Sequence, residues 1–287
     1  MVVKKKKEDT KSARPFLKWV GGKTRLLSQL QELYPDKFDK FYEPFVGGGA
    51  VFFSLNPAKA SINDTNHVLV NAYKHIKDDV ERVIENLKDL EKEFHLLDDI
   101  DKKSVFYYTK RDEYNRLGAT EFNKTILLIF LNKTCFNGVY RENSKGGFNV
   151  PFGKHVKPTI CDSGNLMAAS NALRHTTITA SSFESGIANA KKNDFIYFDP
   201  PYHPLNPTSS FTSYHASGFT AEDQLKLRDV FSSLSKKGCK VMLSNSDTEF
   251  TRELYKDFNI HTVYAGRSVN SVGTKRGKIT ELVVTNY

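Results

Sequence analysis

Strand-like and helix-like segments alternate at both ends of this 287-residue chain, but between Asn66 and about Arg174 strand patterning nearly vanishes. Toward the N-terminus, residues 23–33 place Leu26, Leu27, Leu30 and Leu33 on one side of a helix. A short strand is expected near 41–43, a helix from 50 to 55, and a second strand over 58–63 that ends at Asp64. After the gap, strands are expected at 177–180, 195–198, 240–244, 260–264 and 279–285. Helices fall near 221–236 and 249–257, the first opened by Thr220 and Asp223 as an N-cap pair. Repeating β-α units imply a mostly parallel sheet. The last two strands, joined by a basic loop, bring in an antiparallel C-terminal strand. In the middle, Val80, Val83, Ile84, Leu87, Leu90 and Phe94 keep a helical period. Residues 125–131 are apolar almost all round, the mark of a buried helix. The organisation read from this pattern is an α/β fold over 15–70 and 176–287. It is interrupted by a mainly helical domain over 71–175 with a hairpin at 136–154, and preceded by a basic disordered arm over 1–14.

The formal net charge is +9; the first 14 residues hold six Lys or Arg and two Asp or Glu, so +4 lies there and +5 in the body. That balance favours a polyanionic partner, most simply nucleic acid. Lys4 to Lys7 would add non-specific attraction to phosphates. No apolar run reaches the roughly 18–20 residues that span a membrane, and no signal peptide follows the lysines. A soluble cytoplasmic protein with no membrane partner is expected. Cys135, Cys161 and Cys239 are far apart, no CxxC occurs, and the histidines lack ligand spacing. Neither a disulfide framework nor a metal site is expected.

The chemistry concentrates in a few stretches. Asp199-Pro200-Pro201-Tyr202 directly follows the apolar run Phe195-Ile196-Tyr197-Phe198. In open α/β sheets, ligands bind at the carboxyl ends of strands. There a carboxylate, carbonyls oriented by two rigid prolines, and an aromatic ring suit a flat amino-bearing ring. The carboxylate of Asp199 and the carbonyl of Pro200 accept from the NH₂, and Tyr202 stacks on the ring. Asp-Pro is also ordinary turn chemistry, so this stretch alone does not decide the matter.

Glu43-Pro44-Phe45-Val46-Gly47-Gly48-Gly49 places glycines after a strand and before a helix, where the backbone can approach a ligand closely. Asp64 follows 17 residues after Gly47, where an acidic side chain can accept from ribose hydroxyls. Phe45, Gly47, Gly49 and Asp64 are therefore candidates for holding a nucleoside-containing cofactor. The pattern does not by itself separate NAD from S-adenosylmethionine. In Pro15 to Lys23, the single Trp of the chain, Trp19, stands between lysines beside Gly-Gly. A Lys23 at a helix start is electrostatically awkward, and an anionic ligand there would relieve it. The segment 132–155 packs Asn137, Tyr140, Arg141, Asn143, Asn149 and several lysines together with Phe136, Phe148 and Phe152. Arg grips guanine bidentately, Asn reads adenine, and a two-stranded ribbon suits the major groove. The basic loop 267–278, with Lys275 and Arg276, suits phosphate contact.

Together these motifs resemble the Dam-type family (class alpha, D12) of DNA adenine-N6 methyltransferases. The resemblance rests on FLKWVGGK at 16–23, EPFVGGGAVFF at 43–53, IND at 62–64, FNGVYREN at 136–143, GGFNVPFGK at 146–154, DPPY at 199–202 and SNSD at 244–247. It implies a Rossmann-like methyltransferase sheet and methyl transfer from S-adenosylmethionine to adenine in duplex DNA, commonly at GATC. It further implies that Trp19, Lys23, Asp64 and Asp199 contact the cofactor, with Lys23 at its carboxylate. Ser182 and Phe183 fall where relatives often have Asp-Phe beside the cofactor adenine. Lys18, Asn137, Val139, Arg141 and Pro151 stand where the family reads its site, Arg141 taking a guanine and Pro151 packing on a thymine methyl. The target base must then flip out of the duplex, and the loop from His203 to Phe219, with Tyr214 and Gly218, is expected to close over it.

Other readings stay open at this level. A cytosine-N4 enzyme usually has Ser, and an amide enzyme Asn, at the position of Asp199. Transfer to RNA adenine, or a catalytically silent DNA-binding regulator, is a further alternative. A dinucleotide oxidoreductase leaves the basic hairpin unexplained. A cognate restriction endonuclease acting separately is a possible partner.

Overall fold

The structure, a computed structural model, describes residues 12–205, 219–265 and 279–287. Its strands are β1 (Phe41–Glu43), β2 (Ala60–Asp64), β3 (Thr176–Ala180), β4 (Phe195–Phe198), β5 (Lys240–Ser246), β6 (Asn259–Ala265) and β7 (Ile279–Thr285). Its α-helices are α1 (Leu27–Gln31), α2 (Ala50–Leu55), α3 (His67–Asp78), α4 (Val80–Leu96), α5 (Ile100–Arg116), α6 (Phe122–Thr134), α7 (Ser163–Leu173), α8 (Phe183–Gly186), α9 (Ala221–Lys236) and α10 (Glu249–Leu254). The strands form one sheet in the order β3-β2-β1-β4-β5-β7-β6. Every pairing among β1 to β5 is parallel. Only β7 is reversed, pairing antiparallel with β5 on one side and β6 on the other.

The order of strands places a topological switch point between β1 and β4. The chain winds outward from β1 to β2 and β3, then returns to lay β4 against the other edge of β1, with Phe41 opposite Phe195 and Tyr42 opposite Ile196. A crevice at the carboxyl ends of such a strand pair is where α/β sheets hold ligands. Both glycine turn and DPPY corner leave the sheet there.

The sheet is covered on both faces, and the period of two is visible in single residues. Phe41, Phe195, Tyr197, Met242 and Val283 join one apolar cluster; Tyr42, Ile196, Phe198, Leu243 and Val284 join the other. The first cluster runs on without a break into α4 to α7 through Phe94, Tyr107, Phe130 and Leu173. The helical segment thus shares a core with the sheet. The dividing line read at residue 70 falls inside α3, whereas the one at 175/176 coincides with the start of β3.

Local signals account for much of this. Thr220 and Asp223 form the reciprocal capping box, the Thr220 hydroxyl accepting from the Asp223 N–H at 3.2 Å and the Asp223 carboxylate accepting from the Thr220 N–H at 2.9 Å. In α4 the buried residues are Val80, Val83, Ile84, Leu87, Leu90 and Phe94. In α6 every residue from Thr125 to Asn132 is buried.

Three expectations need correction. The helix expected over 23–33 is one 3-10 turn, Lys23–Arg25, and then the short α1. Leu26, at φ −99° and ψ −7°, separates them, and Lys23 is turned into the interior instead of lying on a solvent face. The helix expected to 257 stops at Leu254. The hairpin 136–154 is irregular: its arms meet in isolated bridges, Cys135 with Phe152 and Glu142 with Phe148. Asn137 and Gly138 both take positive φ (58° and 65°), which breaks the outgoing arm before a ladder forms.

Phe130 is fully buried, with ring centroids 5.6 Å from Phe94 and 5.8 Å from Phe106. Phe130→Ala should cost about 3–5 kcal/mol in urea unfolding. A loss below about 1 kcal/mol would contradict a continuous, tightly packed core.

Candidate active site

β4 is buried at all four residues, so its side chains are fixed by packing before the chain reaches Asp199. Beyond it, the corner is tied down from β5 and α9. Gln224 donates to the Pro201 carbonyl at 3.0 Å, and Asn245 donates to the Gln224 side chain at 3.0 Å. The His203 N–H donates to Asn245 Oδ1 at 3.0 Å, and the Ser246 hydroxyl donates to the His203 carbonyl at 2.6 Å. Ser244 pairs with the Tyr197 hydroxyl at 2.8 Å. The Ser-Asn-Ser run at 244–246 is therefore the brace that holds residues 199–203 in one conformation.

Asp199 Oδ1 lies 2.7 Å from Lys23 Nζ, with only 18% of the Asp199 side chain and 6% of the Lys23 side chain exposed. The ammonium also donates to the Gly21 carbonyl at 2.7 Å and sits 4.7 Å from the centroid of the Tyr202 ring. The Tyr202 hydroxyl donates to Glu281 Oε2 at 2.8 Å. The anion that meets Lys23 in the structure therefore belongs to the chain itself. Burial pushes the Asp199 carboxyl up, and the Lys23 charge and hydrogen bond pull against it. Burial also drives the Tyr202 phenol well up, so it remains a hydrogen-bond donor.

The glycine turn stands beside this pair. At its start, Glu43 is buried and accepts from the Phe52 N–H at 3.0 Å, in the first turn of α2. A carboxyl there meets the positive end of the helix. Burial, then the Asp199 charge, push Glu43 well above the usual carboxylate range. Gly47 has φ +47°, and a Cβ on it would lie 2.9 Å from Trp19 Cδ1. Gly49 has φ +71°, and a Cβ there would lie 2.6 Å from the Tyr73 hydroxyl, which donates to the Gly47 carbonyl at 3.0 Å. Side chains at either position would collide and strain the backbone. Asp64, at the end of β2, accepts from the Gly47 N–H at 3.1 Å and the Asn66 N–H at 2.9 Å.

An aromatic cluster lies at the ends of the neighbouring strands. Phe45 stacks on Phe183 at 5.3 Å and meets Phe219 edge-on at 5.8 Å. The exposed Ser182 caps α8, its hydroxyl accepting from the Ser185 N–H at 3.3 Å. Ser182 thus sets the helix that presents Phe183. The set suits a nucleoside carrying an amino acid: an ammonium, a carboxylate and an aromatic surface. Among the described residues, no three His, Cys, Asp or Glu converge as a metal site, and the three cysteines are buried and free.

Among the recognition candidates, Lys18 is held by a buried amide. Asn132 accepts from the Lys18 N–H and donates to the Lys18 and Gly138 carbonyls, each at 2.9 Å. Next to this clamp, Trp19 stacks on Tyr140 at 4.7 Å and 16°. Lys18, Asn137 and Pro151 are exposed, and Val139 and Arg141 half-buried. Arg141 Nε donates to Asn149 Oδ1 at 2.7 Å, which orients the guanidinium. Phe136 is exposed, while Phe148 and Phe152 are buried, so the three phenylalanines of this segment are not one surface. Lys275, Arg276, Tyr214 and Gly218 lie outside the described residues, as does most of the N-terminal arm. Sequence reasoning missed Glu281, Asn132 and Tyr73, and gave Tyr140 no part in holding Trp19; a lone Glu in an apolar strand and an Asn in an apolar helix were the available signals.

The sequence pattern of the D12 class N6 adenine-specific DNA methyltransferases matches residues 19–269. A protein of Lactococcus lactis subsp. cremoris, named type II methyltransferase M1.LlaDCHI, is 45% identical over 280 residues, covering 96% of this chain and 95% of its own. The type II methyltransferase M.MjaIII of Methanocaldococcus jannaschii is 45% identical over 287 residues, covering 96% and 99%. A DNA adenine methylase of Vibrio cholerae is 36% identical over 274 residues, covering 95% and 96%.

A carboxyl raised by burial favours folding while protonated and opposes it once charged. The stability linked to Glu43 is therefore complete below the ordinary Glu range, about pH 4.3, and is lost as pH rises toward the folded-state value. Glu43→Gln keeps an acceptor for the Phe52 N–H and cannot ionise. Its melting temperature relative to the parent should become steadily more favourable from about pH 4 to pH 8. A flat or opposite trend would contradict the burial of this carboxyl.

Proposed function

The chain belongs to the D12 class N6 adenine-specific DNA methyltransferase family, and from that premise we propose that it takes its methyl group from S-adenosylmethionine and delivers it to an adenine flipped out of duplex DNA, within GATC. The observation that carries this reading is the Lys23–Asp199 pair, at 2.7 Å, standing where the β1 glycine turn and the β4 corner share one crevice.

S-adenosylmethionine supplies a methyl group made electrophilic by its sulfonium. Lys23 has three N–H donors, of which Asp199 and Gly21 take two, leaving one for the amino-acid carboxylate. Asp64 would accept from the ribose hydroxyls, and the stacked Phe45 and Phe183 would border the adenine as one aromatic surface, with Trp19 beside the glycine turn. Gly47 and Gly49 let the turn keep the shape this requires.

Asp199 and Pro200 act on the substrate base. The adenine amino nitrogen is a poor nucleophile because its lone pair is drawn into the ring. Asp199 Oδ1 is engaged by Lys23, and Oδ2 would accept one amino hydrogen while the Pro200 carbonyl accepts the other. Acceptors set off the ring plane, on the side away from the sulfonium, would bend the amino group so that its lone pair faces the methyl. As the N–C bond forms the S–C bond would break, S-adenosylhomocysteine would leave, and the surplus amino proton would pass to the Asp199 carboxylate. Tyr202 would stack on the base and repay part of the few kcal/mol that flipping costs. No covalent enzyme intermediate is needed; positioning and placed charge supply the rate.

Lys18, Asn137, Val139, Arg141 and Pro151 would read the flanking bases. Arg141 would take a guanine bidentately, held in orientation by Asn149. Pro151, exposed on the return arm, would pack on a thymine methyl. Lys275 and Arg276 would contact phosphates. The names of the two type II relatives support pairing with a separately acting restriction endonuclease.

Asp199→Ala should lower single-turnover methylation by about 100-fold or more, with donor affinity weakened far less; retained activity would contradict the role given to Asp199. Arg141→Ala should lose about 1–3 kcal/mol of discrimination at one guanine, read by mapping methylated adenines in DNA from a methylation-free host. An unchanged map would remove Arg141 from site reading.

A further inference from the structure

We propose that Glu281 is a positioning residue for the methyl transfer, holding the Tyr202 ring at the angle at which it receives the flipped base. The inference rests on the reading of Tyr202 as the stacking ring.

The topology explains how a residue so far along the chain reaches this site. β7 is the reversed strand, so its beginning, not its end, lies at the carboxyl edge of the parallel strands. Glu281 is the third residue of β7 and stands opposite Ser246, which braces the His203 carbonyl. A parallel strand in the same place would bring its last residues there.

Geometry then isolates one job for the side chain. The Tyr202 hydroxyl donates to Glu281 Oε2 at 2.8 Å. One side of the ring is covered by the Lys23 ammonium, 4.7 Å from its centroid. The backbone of the corner is pinned through Pro201 and His203. These bonds fix where Tyr202 begins but leave its side-chain torsions to be set by something else. The carboxylate acceptor fixes them: with the hydroxyl tied to Glu281 and one face under Lys23, the opposite face is the one presented to a base. A ring free to turn about its side-chain bonds would spend part of its time edge-on, and a flipped base would lose its platform.

The second consequence is electrostatic. The negative charge of Glu281 acts on Asp199 in the direction that raises its carboxyl, opposite to Lys23.

The test combines Glu281→Ala, Glu281→Gln, Tyr202→Phe, Tyr202→Ala and the double variant Glu281→Ala/Tyr202→Phe. Single-turnover methylation of a GATC duplex, donor affinity and melting temperature are measured for each. Losing a hydrogen bond to a charged acceptor predicts a fall of about 10-fold to 100-fold in methylation rate for Glu281→Ala and for Tyr202→Phe. Donor affinity and melting temperature should hold for both. The double variant should be no slower than the worse single one. Glu281→Gln, which keeps an acceptor, should recover most of the rate.

If Glu281→Ala leaves the rate unchanged while Tyr202→Ala lowers it, the inference falls and the reading of Tyr202 stands. Losses that multiply in the double variant, or a Glu281→Ala loss shared by donor affinity and melting, also overturn it. Full activity in Tyr202→Ala overturns the stacking role itself, and the inference with it.

Discussion

A lysine buried against an aspartate at the switch point of the sheet holds this site together. Lys23 is reached from the N-terminal segment and Asp199 from β4, so their 2.7 Å contact joins two parts of the chain 176 residues apart. Three carboxyl groups, Glu43, Asp199 and Glu281, surround that single ammonium or its partner tyrosine. Removing the ammonium would strand buried negative charge, which costs far more than a surface pair is worth. The pair also explains why residues 23–33 do not form one helix: the first turn is bent to deliver Lys23 inward.

From that contact the rest of the arrangement extends in two directions. Toward the sheet, Glu43 holds the start of α2 and Asp64 holds the Gly47 N–H, so the glycine turn is fixed from both ends. Toward the helical segment, the backbone of Lys18 is clamped by Asn132, and Trp19 lies on Tyr140. The segment carrying Lys18, Trp19 and Lys23 therefore touches the 136–154 loop, the glycine turn and the Asp199 corner within six residues. Continuous packing from the sheet into α4 to α7 makes these contacts rigid.

Much of the fold was legible because burial and chain period agree. β4 is a run of four apolar residues, α4 repeats its apolar positions with helical spacing, and α9 opens on a capping box. The site was legible where chemistry is compressed into a few adjacent residues, as in DPPY and the glycine turn. It was illegible where a partner comes from far away. Nothing near Glu281 announces that a reversed strand carries it to Tyr202, and nothing near Asn132 announces Lys18, 114 residues earlier. A hairpin over 136–154 was legible, but not that Asn137 and Gly138 break its outgoing arm and bring the Gly138 carbonyl to Asn132.

The most direct test of the account is a crystal structure of the protein with S-adenosylhomocysteine and a GATC duplex. The account predicts both ligands in the crevice between β1 and β4. The homocysteine carboxylate should lie on Lys23 Nζ. The target adenine should be outside the helix, its amino group hydrogen-bonded to Asp199 Oδ2 and facing the sulfur. A base still stacked in the duplex, or a nucleoside bound away from Lys23 and Asp64, would contradict it.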